Sequence, residues 1–184
     1  EPLHQIGRRD DEVFALKSSK QECTAAKVTI TVGGQSYPGS GTTGDGYAWA
    51  ATLGHTIVPP RPALVPLTTA VPWVARLSGV TIPDVAVQFR LRGESKPRDQ
   101  RRGSLLFAHF GLSGPVILDI SRSATALADL TQAELVCDFL PSMKPDELDA
   151  EMRRLAAADG KRQIVGALGE RLPKRLVEEL LTLA

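Results

Sequence analysis

Two rhythms of apolar and polar positions run along the chain, and the change from one to the other divides it. The first stretch is strand-like. EVFALKS (12–18) and ECTAAKVTITV (22–32) are rich in β-branched and apolar residues, and VTITV runs abruptly into Gly33 and Gly34. A buried strand ending in a glycine loop predicts an α/β sheet with a ligand-facing loop at the strand's C-terminal end. TGDGYAWAATLG (43–54) predicts a short helix capped by Thr43, with Asp45 at the positive end of the dipole and Gly54 as its stop. HTIVP (55–59) predicts another strand. RPALVPLTTAVPW (61–73) holds too many prolines for a regular helix and predicts the passage from one lobe to another.

Beyond the prolines, TIPDVAVQFRLRG (81–93) alternates with period two and places Val85, Val87, Phe89 and Leu91 on one face of a strand. GESKPRDQRRG (93–103) predicts a turn or hairpin arm, and GSLLFAHFG (103–111) a second strand. SGPVILDISRSATAL (113–127) predicts a helix starting at Ser113 with Val116, Ile117 and Ile120 on one side. ELVCDFLP (134–141) predicts a third strand. From Lys144 the period becomes helical: one helix stopped at Gly160, then RQIVGALGERL, then PKRLVEELLTLA with proline in its first turn. Leu176, Val177, Leu180 and Leu181 of the last helix form a core face. The fold class is α+β, with a β-rich middle and a helical tail.

Composition narrows the class of partner. Of 184 residues, 42% are hydrophobic and 23% charged, enough apolar material for a folded core. The 22 basic and 21 acidic residues leave a net charge of +1, which argues against a dedicated nucleic-acid binder held by phosphate neutralisation. Cys23 and Cys137 lack CxxC spacing and are too few for a disulfide framework, so a reducing, cytoplasmic setting is expected. No apolar run long enough to span a bilayer and no signal-peptide layout occurs, so no membrane partner is expected. The start at Glu1 and the end in LLTLA suggest a cut from a longer protein.

The candidate chemistry is sparse. GSGTTG (39–44) matches the GxGxxG pattern, but it lies six residues past Gly33, Asp45 follows it, and residues 59–64 offer no carboxylate for a ribose. A plain loop with a cap competes with a phosphate cradle there. His4, His55, His109 and the cysteines never fall at metal-ligand spacings, so no metal is expected. FAHFGLSGP (107–115) places an imidazole, two aromatic rings and a helix start within nine residues. GLSGP is not a nucleophile elbow, and Ser113 reads as a capping serine beside His109. The arm RLRGESKPRDQRR (90–102) has no aromatic residue for base stacking and reads as a solvated hairpin, with nucleic-acid binding a third and weaker possibility.

The longer words in the chain are more specific. VTITVGGQSYPGSGTTGDGYAWAATLGHTIVPPRPALVPL, followed by RRGSLLFAHFGLSGPVILDISR and a late LPKRL, resembles the BaiN and aminoacetone-oxidase-like family of bacterial flavoproteins. The resemblance runs from about residue 27 to residue 176. It implies a glutathione-reductase-like FAD-binding α/β domain interrupted by an insert. Residues 1–66 then correspond to part of the FAD domain and 67–184 to the insert, a small β-barrel over about 67–141 followed by a helical part over about 142–184.

By the same resemblance Gly33 and Gly34 lie beside FAD, accompanied by Ser36, Tyr37 and Thr43. Val32 stands where the family's ATGG turn carries threonine, which removes any contact through that hydroxyl. The implied function is part of a FAD-dependent oxidoreductase acting on a small-molecule substrate, with NAD(P)H as a possible electron source. The insert covers the substrate side of the flavin and His109 is the candidate catalytic residue, as a proton donor or a substrate hydrogen-bonding group, with a satisfied structural histidine as the competing reading. The family's N-terminal GxGxxG has no counterpart here, so the 184 residues alone are expected to be inactive and without FAD. The alternative is a non-catalytic binding or interaction module that kept the fold and lost the flavin. Neither a substrate nor an oligomeric state is assigned.

Overall fold

The computed structural model describes residues 2–9, 11–159 and 161–184, with side chains described outside 158–164. The chain divides into two compact units, 1–60 and 61–184.

In the first unit, β1 (Leu3–Arg8), β2 (Phe14–Ser18) and β3 (Glu22–Ala25) form an antiparallel sheet in that order. Ile6 is its buried apolar residue. The strand expected over 22–32 stops at Ala25, and no residue of VTITV pairs with another strand among the described residues. HTIVP likewise forms no strand. An apolar run becomes a strand only where a neighbour takes its backbone hydrogen bonds, and here none does. Ile30, Val32 and Val58 are accordingly exposed. This three-stranded antiparallel sheet does not by itself show a glutathione-reductase-like strip.

Helix α1 (Asp45–Thr52) forms where expected but starts differently. Its N-cap is Gly44 in the left-handed region, φ 87°, without a side-chain cap. Thr43 therefore does not cap the helix; its hydroxyl donates to the Asp45 carboxylate at 2.8 Å. Gly54 does end it: with φ 89° its N–H donates to Ala51, and the His55 N–H reaches back to Ala50, both at 3.0 Å.

The second unit holds most of the regular structure. Its order is β4 (Leu67–Thr68), α2 (Pro72–Arg76), β5 (Thr81–Leu91), β6 (Asp99–Ala108), β7 (Gly111–Ser113), α3 (Pro115–Thr125), β8 (Ala133–Asp138), α4 (Pro145–Asp159), α5 (Lys161–Gly169) and α6 (Lys174–Leu183). The strands form one antiparallel sheet in the order β4-β7-β6-β5-β8. Pro83, which cannot donate to the ladder, sits in the register shift between Ile82 and Val85. Among the described residues the five strands run as one ladder, with β4 and β8 at its two ends, in the stretch where a small barrel is expected.

The core lies on one face of this sheet. Val85, Val87 and Phe89 of β5 and Leu105 and Phe107 of β6 pack against Val116, Ile117 and Ile120 of α3. Gly103 faces α3, where an added Cβ would make an ordinary van der Waals contact with the Val116 Cβ at 3.6 Å. Leu176 and Val177 of α6 complete the cluster, with Leu180 and Leu181 half-buried against it. Ser113 was expected to cap α3 but belongs to β7, paired with Leu106. The cap is Gly114, φ 90°, where a Cβ would sit 2.8 Å from the Ser104 carbonyl oxygen, so only glycine turns the chain there. The expected stop at Gly160 lies outside the described residues.

Candidate functional site

The five residues expected beside a cofactor all lie in one loop of the first unit. Three glycines let this loop close on itself. A Cβ at Gly33 (φ 74°) would sit 2.9 Å from Thr42 Cγ2, one at Gly44 would sit 2.9 Å from Gln35 Oε1, and one at Gly46 would sit 2.8 Å from Val32 Cγ2. The Thr42 and Ser40 hydroxyls both donate to the Tyr37 carbonyl at 2.8 Å, and the Tyr37 N–H donates to the Thr42 hydroxyl at 3.3 Å. That folding leaves the backbone N–H groups of Gly33, Gly34, Gln35 and Ser36 without a partner among the described residues. The Tyr37 side chain is 72% exposed.

Four consecutive free N–H groups beside an exposed aromatic ring fit one rim of a flavin dinucleotide, whose phosphates and ring edges are hydrogen-bond acceptors. Thr43 fits less well, since its hydroxyl is held by Asp45. The GxGxxG match at 39–44 is no helix-terminal phosphate cradle, because Gly39 sits in a 3-10 turn, Pro38–Ser40, ahead of the helix.

His109 lies in the second unit, at the turn between β6 and β7. It is exposed, makes no hydrogen bond among the described residues, and stacks edge-on against Phe110 with ring centroids 5.0 Å apart. No carboxylate orients it, so the imidazole is free to donate to a ligand but is not assembled into a catalytic relay.

Two hollows of the second unit were not foreseen from the sequence. The larger, about 630 Å³, opens between the two edges of the sheet, over a floor that includes Trp73, Phe89, Leu105, Phe107, Leu135 and Leu180. Trp73 and Phe139 flank Phe107 with centroids 6.0 and 6.4 Å away. Cys137 lines the same cleft, and burial pushes its thiol up to about 11. The smaller hollow, about 400 Å³, has Asp84, Ser142 and Arg171 on its wall. There Arg102 grips Asp84 through two bonds of 2.7 and 2.6 Å, and that hydrogen bonding holds the carboxyl below its usual range. An acid so paired stays ionised at neutral pH and does not shuttle protons. A clue lay in the two strands, one short and proline-flanked, that end up at the sheet's edges; their placement at one opening depends on pairing order, which the sequence does not display.

The basic arm is largely self-neutralised. Glu134 pairs with Arg90 and Arg92, each at 3.3 Å, while Arg98 pairs with Glu94, Arg101 with Asp99 and Arg102 with Asp84. Of the arm's cations, Lys96 alone lacks a carboxylate partner among the described residues. Among the described residues no helix is long and apolar enough to cross a membrane, and no cluster of His, Cys, Asp and Glu could hold a metal ion.

The open antiparallel sheet followed by three helices corresponds to a known pattern. Residues 61–184 match the description "HI0933-like protein barrel and H2TH domain". The chain belongs to this family. It is a domain found in flavoprotein oxidoreductases. Among curated proteins, the chain is 31% identical over 175 residues to the ribosomal RNA dihydrouridine synthase of Escherichia coli (strain K12), covering 94% of this chain and 40% of that protein. It is 31% identical over 176 residues to the protein of the same name from Haemophilus influenzae (strain Rd), covering 93% and 40%. It is 28% identical over 176 residues to the 3-dehydro-bile acid delta(4,6)-reductase of Clostridium scindens, covering 93% and 41%. The chain thus spans about two fifths of the length of these relatives.

Proposed function

We propose that the chain is part of a FAD-dependent oxidoreductase, in which residues 61–184 form the insert over the substrate side of the flavin and residues 1–60 contribute a rim of the FAD-binding domain. The observation that carries this reading is the loop with free N–H groups from Gly33 to Ser36, lying just ahead of a domain found in flavoprotein oxidoreductases. When bound, FAD supplies the hydride transfer. The chain's own residues hold and shield. Gly33, Gly34 and Ser36 donate backbone N–H groups to the cofactor, the Tyr37 ring packs on it, and Thr43 keeps the adjoining turn in shape through Asp45. His109 gives a proton to the substrate from its exposed imidazole, and the insert keeps bulk water from the reacting face. The electron source is NADH or NADPH, and the setting is cytoplasmic.

The substrate is a small molecule with a reducible carbon–carbon double bond, a chemistry suggested by the reductase relative. A second reading, with RNA as substrate, is favoured by the printed names of two relatives. The internal ion pairs of the arm weigh against that arm as a phosphate-binding surface, since phosphate contacts need cations not already spent on carboxylates.

The test is flavin content. The full-length polypeptide from the encoding gene is expected to purify with about one flavin per chain, read from visible absorbance, whereas residues 1–184 alone are expected to carry little or none. A full-length polypeptide that binds no FAD on reconstitution would contradict the proposal and favour the flavin-free module.

A further inference from the structure

Strands β6 and β7 are joined by a two-residue turn: Ala108 pairs with Gly111, and His109 and Phe110 lie between them. Turns of that length favour Asn-Gly and similar pairs, whose positive φ matches the twist of the flanking strands. Here neither central residue takes a positive φ, and both carry rings. The two side chains are exposed, with their ring planes at 87° and their centroids 5.0 Å apart. A turn that sets aside the local preference of its length, and buries neither side chain in return, points to a use for those side chains.

The backbone beneath the rings is held in place. β4 lies against the tip: Leu67 pairs with Leu112, Thr68 with Gly111, and the Thr69 N–H donates to the Phe110 carbonyl at 3.3 Å. Gly111 permits that approach. At its φ of 153° a Cβ would run into the Leu67 carbonyl oxygen and sit 2.8 Å from the Thr68 Cα. The rings are therefore fixed at their base and open at their faces, which lowers the ordering entropy that a ligand has to offset. A solitary exposed phenylalanine is ordinary on a protein surface. Beside an imidazole that makes no hydrogen bond among the described residues, it becomes a flat apolar face next to a free N–H donor. A flat conjugated ring with a carbonyl at its rim satisfies both.

We propose that Phe110 is a substrate-contact residue beside His109. Its ring stacks on the face of a small substrate whose reducible double bond is conjugated with a carbonyl in a flat ring, and the His109 N–H donates to that carbonyl oxygen. Gly111 is the positioning residue, because it lets β4 hold the tip. Calling the ligand a substrate rests on the flavoprotein reading; the contact itself rests on the tip.

The experiment uses the full-length polypeptide without added reductant, with flavin content read in the same sample. Magnetic saturation transfer from the protein to the ring protons of coumarin, and separately of a uridine-containing oligoribonucleotide, reports binding without turnover. Phe110→Leu keeps apolar bulk without a ring face and is expected to weaken coumarin binding about tenfold, while Phe110→Trp is expected to retain it. Both variants are expected to unfold within about 3 °C of the parent, since the Phe110 ring is exposed. Equal coumarin binding by the parent and Phe110→Leu, or none by the parent, would overturn the proposal. So would a Phe110→Leu chain that unfolds far below the parent, which would make the ring structural. A Phe110-dependent response to the oligoribonucleotide alone would also overturn it and give the tip to RNA. A parent without flavin that still binds coumarin through Phe110 would leave the contact standing while the redox reading fell.

Discussion

Residues 1–60 and 61–184 are built from the same alphabet but bury it differently. In the second unit, buried apolar residues from three strands and three helices converge on one cluster that includes Val85, Phe107, Ile117 and Leu176. In the first, Ile6 is the buried hydrophobic residue, while Ile30, Val32, Tyr37 and Val58 face outward. Burial at about 25 cal/mol per Å² has to offset the entropy of ordering each residue, and only the second unit concentrates enough of it to do so alone. The contrast shows that a strongly apolar word such as VTITV is a demand for neighbours. Where those neighbours are supplied by this chain the pattern closes; where they are not, it stays exposed.

The sharpest way to break the comparison is to cut equivalent holes in the two units. Phe107→Ala removes a fully buried ring between Trp73 and Phe139 and is expected to cost about 3–5 kcal/mol, read by denaturant unfolding of residues 1–184. Ile6→Ala is expected to leave that transition within about 0.5 kcal/mol of its original position, since Ile6 lies in the other unit. Comparable losses from both would mean that the two units unfold as one.

A smaller effect sharpens the picture of the cleft. Burial raises the Cys137 thiol to about 11 from its ordinary 9.0, so the folded state holds this proton more tightly than the unfolded state. The sign follows: the contribution is fully present below pH about 9 and is lost as pH rises toward about 11, on the order of 1 kcal/mol for a half-buried group. Stability measured at several pH values in that window should fall less steeply in Cys137→Ala than in the parent chain. Identical slopes would show that the thiol is not desolvated.

The parts legible in the sequence are those whose pattern is satisfied locally. The alternation of Val85, Val87 and Phe89 gives β5 its buried face, and Val116, Ile117 and Ile120 recur at helical spacing to give α3 its own. Leu176 and Val177 likewise mark the buried side of α6. Helix starts were less legible. Thr43 and Ser113 have the side chains of caps, yet Gly44 and Gly114 take those positions, because the chain must turn through the left-handed region where a Cβ does not fit. Pairing was not legible at all. Nothing local in LTTAV or ELVCD says that the two lie at the edges of one sheet, and the cleft between them exists only through that order. His109 shows the same limit from the side of chemistry: its neighbours in sequence do not tell that it sits exposed on a hairpin tip.

The most direct test of the division is to express residues 61–184 and residues 1–60 separately and follow thermal unfolding by circular dichroism with side-chain fluorescence. Residues 61–184 are expected to give a single cooperative transition at the temperature seen for the 184-residue chain, and residues 1–60 none. Loss of the transition from residues 61–184, or a cooperative one from residues 1–60 alone, would contradict the account of a self-sufficient second unit and a first unit that buries too little to fold alone.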